Sequence, residues 1–260
     1  MNTNINSMFS FILFIIVIIS VSYYISEKYR VNTILNKMII YDSYMSITNT
    51  PFKTVHESGE KYNKLCDYYV ASSFRPLACT NQLFDYVSLS ILDKVLQSGP
   101  RCIWIDIYNS ELSDKAEPIV SNGIRDGNWK LTLNTVLFKD FCYVLSKTIF
   151  KSGKVNNYED PFILALNLNT QRNLYCLKKI KEYLLKYLGP HLLDVHYNYK
   201  KVDIGNITMD KLCGGDGRTP KLIIFANGEF ENSELEELIN YSWDQDKLKL
   251  LNYKSISPNI

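Results

Sequence analysis

Histidine is the usual proton-transfer residue near neutral pH, and this sequence has only three, His56, His191 and His196. Six cysteines, at 66, 79, 102, 142, 176 and 213, form no CxxC pair and follow no regular spacing. Most lie in apolar runs, so they read as buried free thiols, which suits a reducing compartment. "CGGDGRTPK", from Cys213, is glycine-rich enough to cradle a phosphate. It lacks the Walker pattern and reads as a turn. Two strand exits remain. "YYVASSFRP" ends on Phe74, Arg75 and Pro76: an aromatic, a guanidinium and a ring with no N–H. "RCIWIDIYN" carries a carboxylate, Asp106, near its end.

The elements that must hold these exits alternate along the chain. Residues 65–70 read as a buried first strand, with 68–72 strand-like, and 84–97 as a helix with Leu83, Val87, Ile91 and Val95 in one stripe. "RCIWIDIYN" predicts a second strand after Gly99-Pro100, and "EPIVSNG" a short strand into a turn. A helix over 133–150, stopped by Gly153, leads to "PFILALNLN", a strand buried on both faces. A lysine-rich helix over 174–188 ends at Gly189-Pro190, and "PKLIIFANG" is the last strong strand. Strands alternating with helices predict parallel βαβ units, hence an α/β sheet or barrel. The net charge of +2 is small and unclustered, which argues against a nucleic-acid partner.

The N-terminus differs. Residues 8–26, "MFSFILFIIVIISVSYYIS", are nineteen residues without a charge. A helix of that length nearly spans a hydrocarbon core of about 30 Å. Tyr23 and Tyr24 stand where interfacial aromatics belong. Ser20 and Ser22 also offer a small-x-small cleavage site, but residues 1–7 lack the Lys or Arg of a secretory n-region. The expectation is an uncleaved single-pass anchor. Lys28, Arg30 and Lys37 follow it, and positive-inside places the C-terminal domain in the cytosol.

Seven strings in this order resemble the X region of eukaryotic-type phosphoinositide-specific phospholipase C: "YYVASS", "LQSGPRCIWIDIYN", "EPIVSNG", "TLNTVLFKDFCYVL", "DPFILALNLN", "IKEYLLKYLGPHLL" and "PKLIIFANG". The resemblance runs from about residue 62 to 228. It implies half of a TIM-like (β/α) barrel of the phospholipase C-like phosphodiesterase type, here incomplete or reduced. The organisation expected is a transmembrane anchor over 1–26, a linker over 27–60, the X-like half-barrel over 61–228, and the start of a Y-like half or a C-terminal extension over 229–260. A full barrel takes about 250 residues, so an open sheet edge would need cover from the linker, a protein partner or a second copy.

The resemblance also implies a site. In the family, calcium and two histidines drive attack of the inositol 2-hydroxyl on the phosphodiester. The positions matching the histidines are Phe74 and Asn122, and neither side chain shuttles a proton. The calcium-ligand positions hold Arg75, Trp104, Asp106 and Asn167, so only Asp106 keeps a carboxylate, with Asn167 a weak carbonyl donor. Two lysines that grip a ring phosphate correspond to Phe225 and Asn227. Asp106 is expected to pair with Arg75, with Trp104 as filler, and the family's calcium is expected to be lost. The reading is a membrane-anchored, catalytically inactive phospholipase C-like protein with a structural or binding role at a membrane and membrane lipid as partner. The composition, rich in lysine, asparagine and isoleucine, would suit a large DNA virus and its virion membrane. Two alternatives stand: a phosphodiesterase with displaced groups (Asp106, Arg75, His191), and a lipid-headgroup binder in which Arg75 and Arg125 hold a phosphate.

Overall fold

The computed structural model describes residues 2–47, 55, 62–79, 84–123, 130–215 and 217–243. The elements are helix α1 (Asn2–Ile47), strand β1 (Ser72–Phe74), α2 (Leu89–Gln97), β2 (Cys102–Asn109), β3 (Pro118–Ser121), β4 (Val136–Leu137), α3 (Phe138–Thr148), β5 (Phe162–Asn169), α4 (Leu174–Leu188), β6 (Leu222–Gly228) and β7 (Tyr241–Ser242). They build one sheet in the order β4-β3-β2-β5-β6-β7, with β1 beside the first half of β2. The β1–β2, β2–β5, β5–β6 and β6–β7 pairs are parallel, while β3 and β4 are antiparallel additions. Among the described residues the sheet does not close into a barrel.

Alternation along the central strands sorts side chains onto two faces. Ile103, Ile105 and Ile107, with Leu164, Leu166, Ile224 and Ala226, join the core under α3 and α4. The helices match this face with apolar stripes, Phe138, Phe141, Cys142 and Leu145 on α3 and Leu177, Ile180, Leu184 and Leu188 on α4. On the opposite face Ile163 and Ile223 pack against Leu65, Ile204, Met209 and Leu212, which arrive on short 3-10 turns. These turns cover the amino-terminal half of the inner face, where a closed barrel would hold its own interior side chains.

Several boundaries differ from expectation. The first strand is only Ser72–Phe74; Leu65–Asp67 is a 3-10 turn, and Tyr69 is fully exposed. The apolar letters at 65–70 serve the inner-face cluster, in which Leu65, Tyr68 and Val70 take part. The helix expected over 84–97 begins at Leu89, because the Ser88 Oγ caps it by accepting from the Ser90 N–H at 3.2 Å. The helix expected over 133–150 is preceded by β4, since Val136 and Leu137 pair with Val120 and Ile119. "CGGDGRTPK" is a turn: Gly215 and Gly217 have φ of +91° and +80°, and Gly215 bridges Arg218.

Residues 27–47, expected to be a linker of little periodicity, continue α1 as helix. Ile34 and Met38 pack against Cys79, Tyr86, Ile91 and Val95, which gives this stretch a tertiary reason to stay helical. Within α1, Met8–Ile39 is long and apolar enough to cross a membrane, a property that a signal sequence near the N-terminus shares. The cysteines are free. Burial raises the Cys79 thiol to about 11 and the Cys176 and Cys213 thiols to about 12, so they stay protonated at neutral pH. Cys66 departs from the buried reading and is exposed.

Candidate active site: a buried arginine–aspartate pair

Strand register assembles the site in two layers on the inner face. Phe74 pairs with Trp104, Trp104 with Ala165, Ala165 with Phe225, and Phe225 with Tyr241. One layer nearer the carboxyl ends, Asp106 pairs with Asn167 and Asn167 with Asn227. An aromatic floor therefore lies under a polar row.

The floor is continuous. Trp104 meets Phe74 edge-on with ring centroids 5.8 Å apart, and it meets Trp243 at 4.7 Å. Trp243 also reaches Phe225 at 6.5 Å, and Phe225 meets Tyr241 at 4.9 Å. Trp243 is buried, closing over the inner face beside β7. Its position next to Trp104 had no signal in the sequence beyond its place in the 229–260 stretch expected to start a Y-like half.

Arg75 turns out of β1 with a φ of +52°, a conformation costly for a side chain bearing a Cβ. Its N–H still donates to the Trp104 carbonyl at 2.9 Å, so the strand pairing carries through the turn. The turn aims the guanidinium across the polar row. Nε and Nη2 contact the Asp106 Oδ2 at 2.8 and 2.7 Å, two donors converging on one carboxylate oxygen, and Nη2 also donates to the Gly123 carbonyl at 2.9 Å. The guanidinium lies 4.9 Å from the Phe74 ring centroid. The other carboxylate oxygen, Oδ1, accepts from the Asn167 side-chain amide at 2.9 Å and, at 3.4 Å, from the Trp104 indole. Asn227 donates in turn to the Asn167 Oδ1 at 3.3 Å. Asp106 is 1% exposed, so this network stands in for its hydration.

This arrangement bears on calcium, which takes six to eight oxygen ligands. Among the described residues no three His, Cys, Asp or Glu side chains converge as a metal site. Asp106 is the one carboxylate in the row, and both its oxygens already accept hydrogen bonds. The Arg75 cation lies against Oδ2, and the Asn167 carbonyl oxygen accepts from Asn227. The donor set does not fit calcium, and no chemical step runs through it.

The other expected residues are scattered. Asn122 is buried beside Gly123, with its amide nitrogen unpartnered among the described residues. Arg125 lies outside the described residues. His191 is not in the site: its Nδ1 lies 2.9 Å from the Pro220 carbonyl and its ring stacks on Phe150 at 4.2 Å, at the entry to β6 rather than its exit. Burial lowers its pKa and favours neutral imidazole there. His196 is exposed beside Asp194, and His56 lies outside the described residues. Tyr108, buried one pleat beyond Asp106, was not foreseen; burial and the Asp106 charge hold its hydroxyl well above the usual phenol range.

The description of the X domain of phosphatidylinositol-specific phospholipase C matches residues 61–206. Human 1-phosphatidylinositol 4,5-bisphosphate phosphodiesterase eta-1 is 27% identical over 128 residues, covering 49% of this chain and 7% of that protein. The Caenorhabditis elegans 1-phosphatidylinositol 4,5-bisphosphate phosphodiesterase beta egl-8 is 27% identical over 141 residues, covering 54% of this chain and 9% of that protein. The chain thus spans a small fraction of the length of these relatives. The solved structures of S. officinalis PLC21 and L. pealei PLC21 overlay 75% of this chain and 21% of theirs, with TM-scores of 0.47 and 0.48 and identities of 21% and 20%. A match over more than half of the chain, taking in β1 with its Arg75 exit and β2 with Asp106, settles the family: this chain belongs to the phosphatidylinositol-specific phospholipase C X-domain proteins.

Proposed function

We propose that this phospholipase C-like domain is membrane-anchored and catalytically inactive, and that its role at the membrane is structural or one of binding. The observation that supports this reading most is the Arg75–Asp106 pair. A guanidinium contacts the one carboxylate in the polar row, where the resemblance calls for a dication. Phe74 and Asn122, at the positions resembling the two histidines, offer no group that titrates near neutral pH. α1 supplies the apolar segment for anchoring.

The rival readings draw less support. A phosphodiesterase built on Asp106, Arg75 and His191 needs the imidazole near the carboxylate, yet His191 stacks on Phe150 at the far end of the strands. Headgroup capture by Arg75 would compete with its contacts to Asp106 and Gly123. Among the described residues the sheet ends at β4 and β7, strand edges with which a protein partner or a second copy can pair.

Calorimetric titration of the full chain in detergent micelles with calcium is the experiment for this reading. No saturable heat is expected up to millimolar calcium. Saturable binding that disappears in Asp106→Asn would favour the enzyme reading instead.

A further inference from the structure

A cleft of about 470 Å³ opens at the other end of the strands from the Arg75–Asp106 pair, where β1, β2 and β5 begin. Ser72 and Ser73 open β1, Arg101 leads into β2, and Asp160 and Pro161 lead into β5. The strand register sets Ser72, Cys102 and Ile163 in one layer. Asp106 lies about 13 Å further along β2, at a rise of about 3.3 Å per residue. The walls of the cleft are mainly apolar. Leu65, Ile163 and Met209 come from the inner-face cluster, and Val95 comes from α2. Size and lining are those of a small-molecule site.

Most polar groups of the lining are committed to the protein itself. Arg101 is buried and donates to the carbonyls of Ile149 at 2.9 Å, Pro161 at 3.2 Å and Asp160. Its guanidinium lies 5.4 and 5.1 Å from the ring centroids of Phe150 and Phe162. One cation thus ties the end of α3 and the approach to β5 to the start of β2, which holds the wall in place. Burial lowers its pKa only to about 10, so it stays charged at neutral pH. Asp160 balances that charge, and its Oδ1 accepts from the Val55 N–H at 3.0 Å. The Ser72 and Ser98 hydroxyls donate to the carbonyls of Val70 at 2.9 Å and Val95 at 2.6 Å. Asn157 differs. It is 7% exposed, and its amide nitrogen donates to the Gly99 carbonyl at 3.0 Å, but its Oδ1 accepts nothing. Among the described residues it is the one buried side-chain oxygen of this lining without a hydrogen bond. A buried acceptor left without a donor is costly and needs a reason.

We propose that this cleft binds a small, uncharged, mainly apolar molecule that donates one hydrogen bond to the Asn157 Oδ1. The apolar walls take the body of the molecule, and the unpaired carbonyl oxygen calls for a donor. The two charged side chains among the described lining residues, Arg101 and Asp160, offset each other, so the cleft favours neither an anion nor a cation. None of Arg75, Asp106, Asn167 and Asn227 lines it, so the inference is independent of whether the carboxyl-end site is active.

Indole and benzofuran test this, because they match in size and only indole carries an N–H. The full chain, in detergent micelles, is labelled with carbon-13 at its methionine methyl groups. Met209 lines the cleft, while Met8 lies in the apolar part of α1 and reports probe dissolved in the micelle. Indole is expected to shift the Met209 resonance saturably, and benzofuran to bind several-fold more weakly. Asn157→Leu should bring the two probes to the same affinity; if that variant fails to fold, the comparison in the unmutated chain decides alone. No shift at Met209, or a linear one that parallels Met8, would mean that the cleft holds water only and would overturn the proposal. Equal affinity of the two probes for the unmutated chain would overturn the donor assigned to Asn157.

Discussion

Replacing Arg75 with alanine is expected to lower the stability of the domain by about 3–5 kcal/mol, the cost of breaking a buried ion pair from one side. The physical reason is Asp106. At 1% exposure it cannot recover hydration when the guanidinium leaves. The Asn167 amide and the Trp104 indole remain, but they are neutral donors to the other oxygen. Urea unfolding of the full chain in detergent, followed by near-ultraviolet circular dichroism of the tryptophans, checks this. The double replacement Arg75→Met/Asp106→Leu removes both charges and should recover most of the loss. A single replacement that costs less than about 1 kcal/mol, the range of an exposed pair, would mean that the pair is solvated.

The second large effect is expected at Gly228, the last residue of β6. Its φ is +109°, and a Cβ there would lie 2.4 Å from the Leu168 carbonyl oxygen. The neighbour is backbone held by the β5–β6 register, in which Leu168 pairs with Gly228, so it has little freedom to withdraw. Gly228→Ala should cost about 3 kcal/mol or more, since the backbone conformation alone costs about 1–3 kcal/mol. Gly153 is the control, with a φ of +79° and nothing within 4 Å of the added Cβ. Gly153→Ala should cost only about 1–2 kcal/mol. The order of the two urea midpoints decides it; equal losses would mean that the strand exit relaxes around the methyl group.

Much of the fold was legible because burial writes it into the order of letters. The helix over 174–188 and the strands of "CIWIDIYN" and "FILALNLN" appear as expected, since their patterns come from faces buried by the element itself. The failures share a cause. Residues 27–47 read as a linker because the Glu27, Arg30, Ile34 and Met38 stripe is sparse, and its helix is supported by contact with the cluster around Ile91. Residues 65–70 read as a strand because an apolar run does not tell a strand from a packed turn. At the site, the Arg75–Asp106 pair was foreseeable from two charges of opposite sign at neighbouring strand exits. The cover that Trp243 gives to Trp104 was not, because it depends on β7 pairing with β6 far along the chain.

The most direct test of the central claim is turnover. The full chain, reconstituted with vesicles containing phosphatidylinositol lipids and millimolar calcium, should release no inositol phosphate above vesicles alone. Calcium-dependent release that Asp106→Ala abolishes would contradict the account.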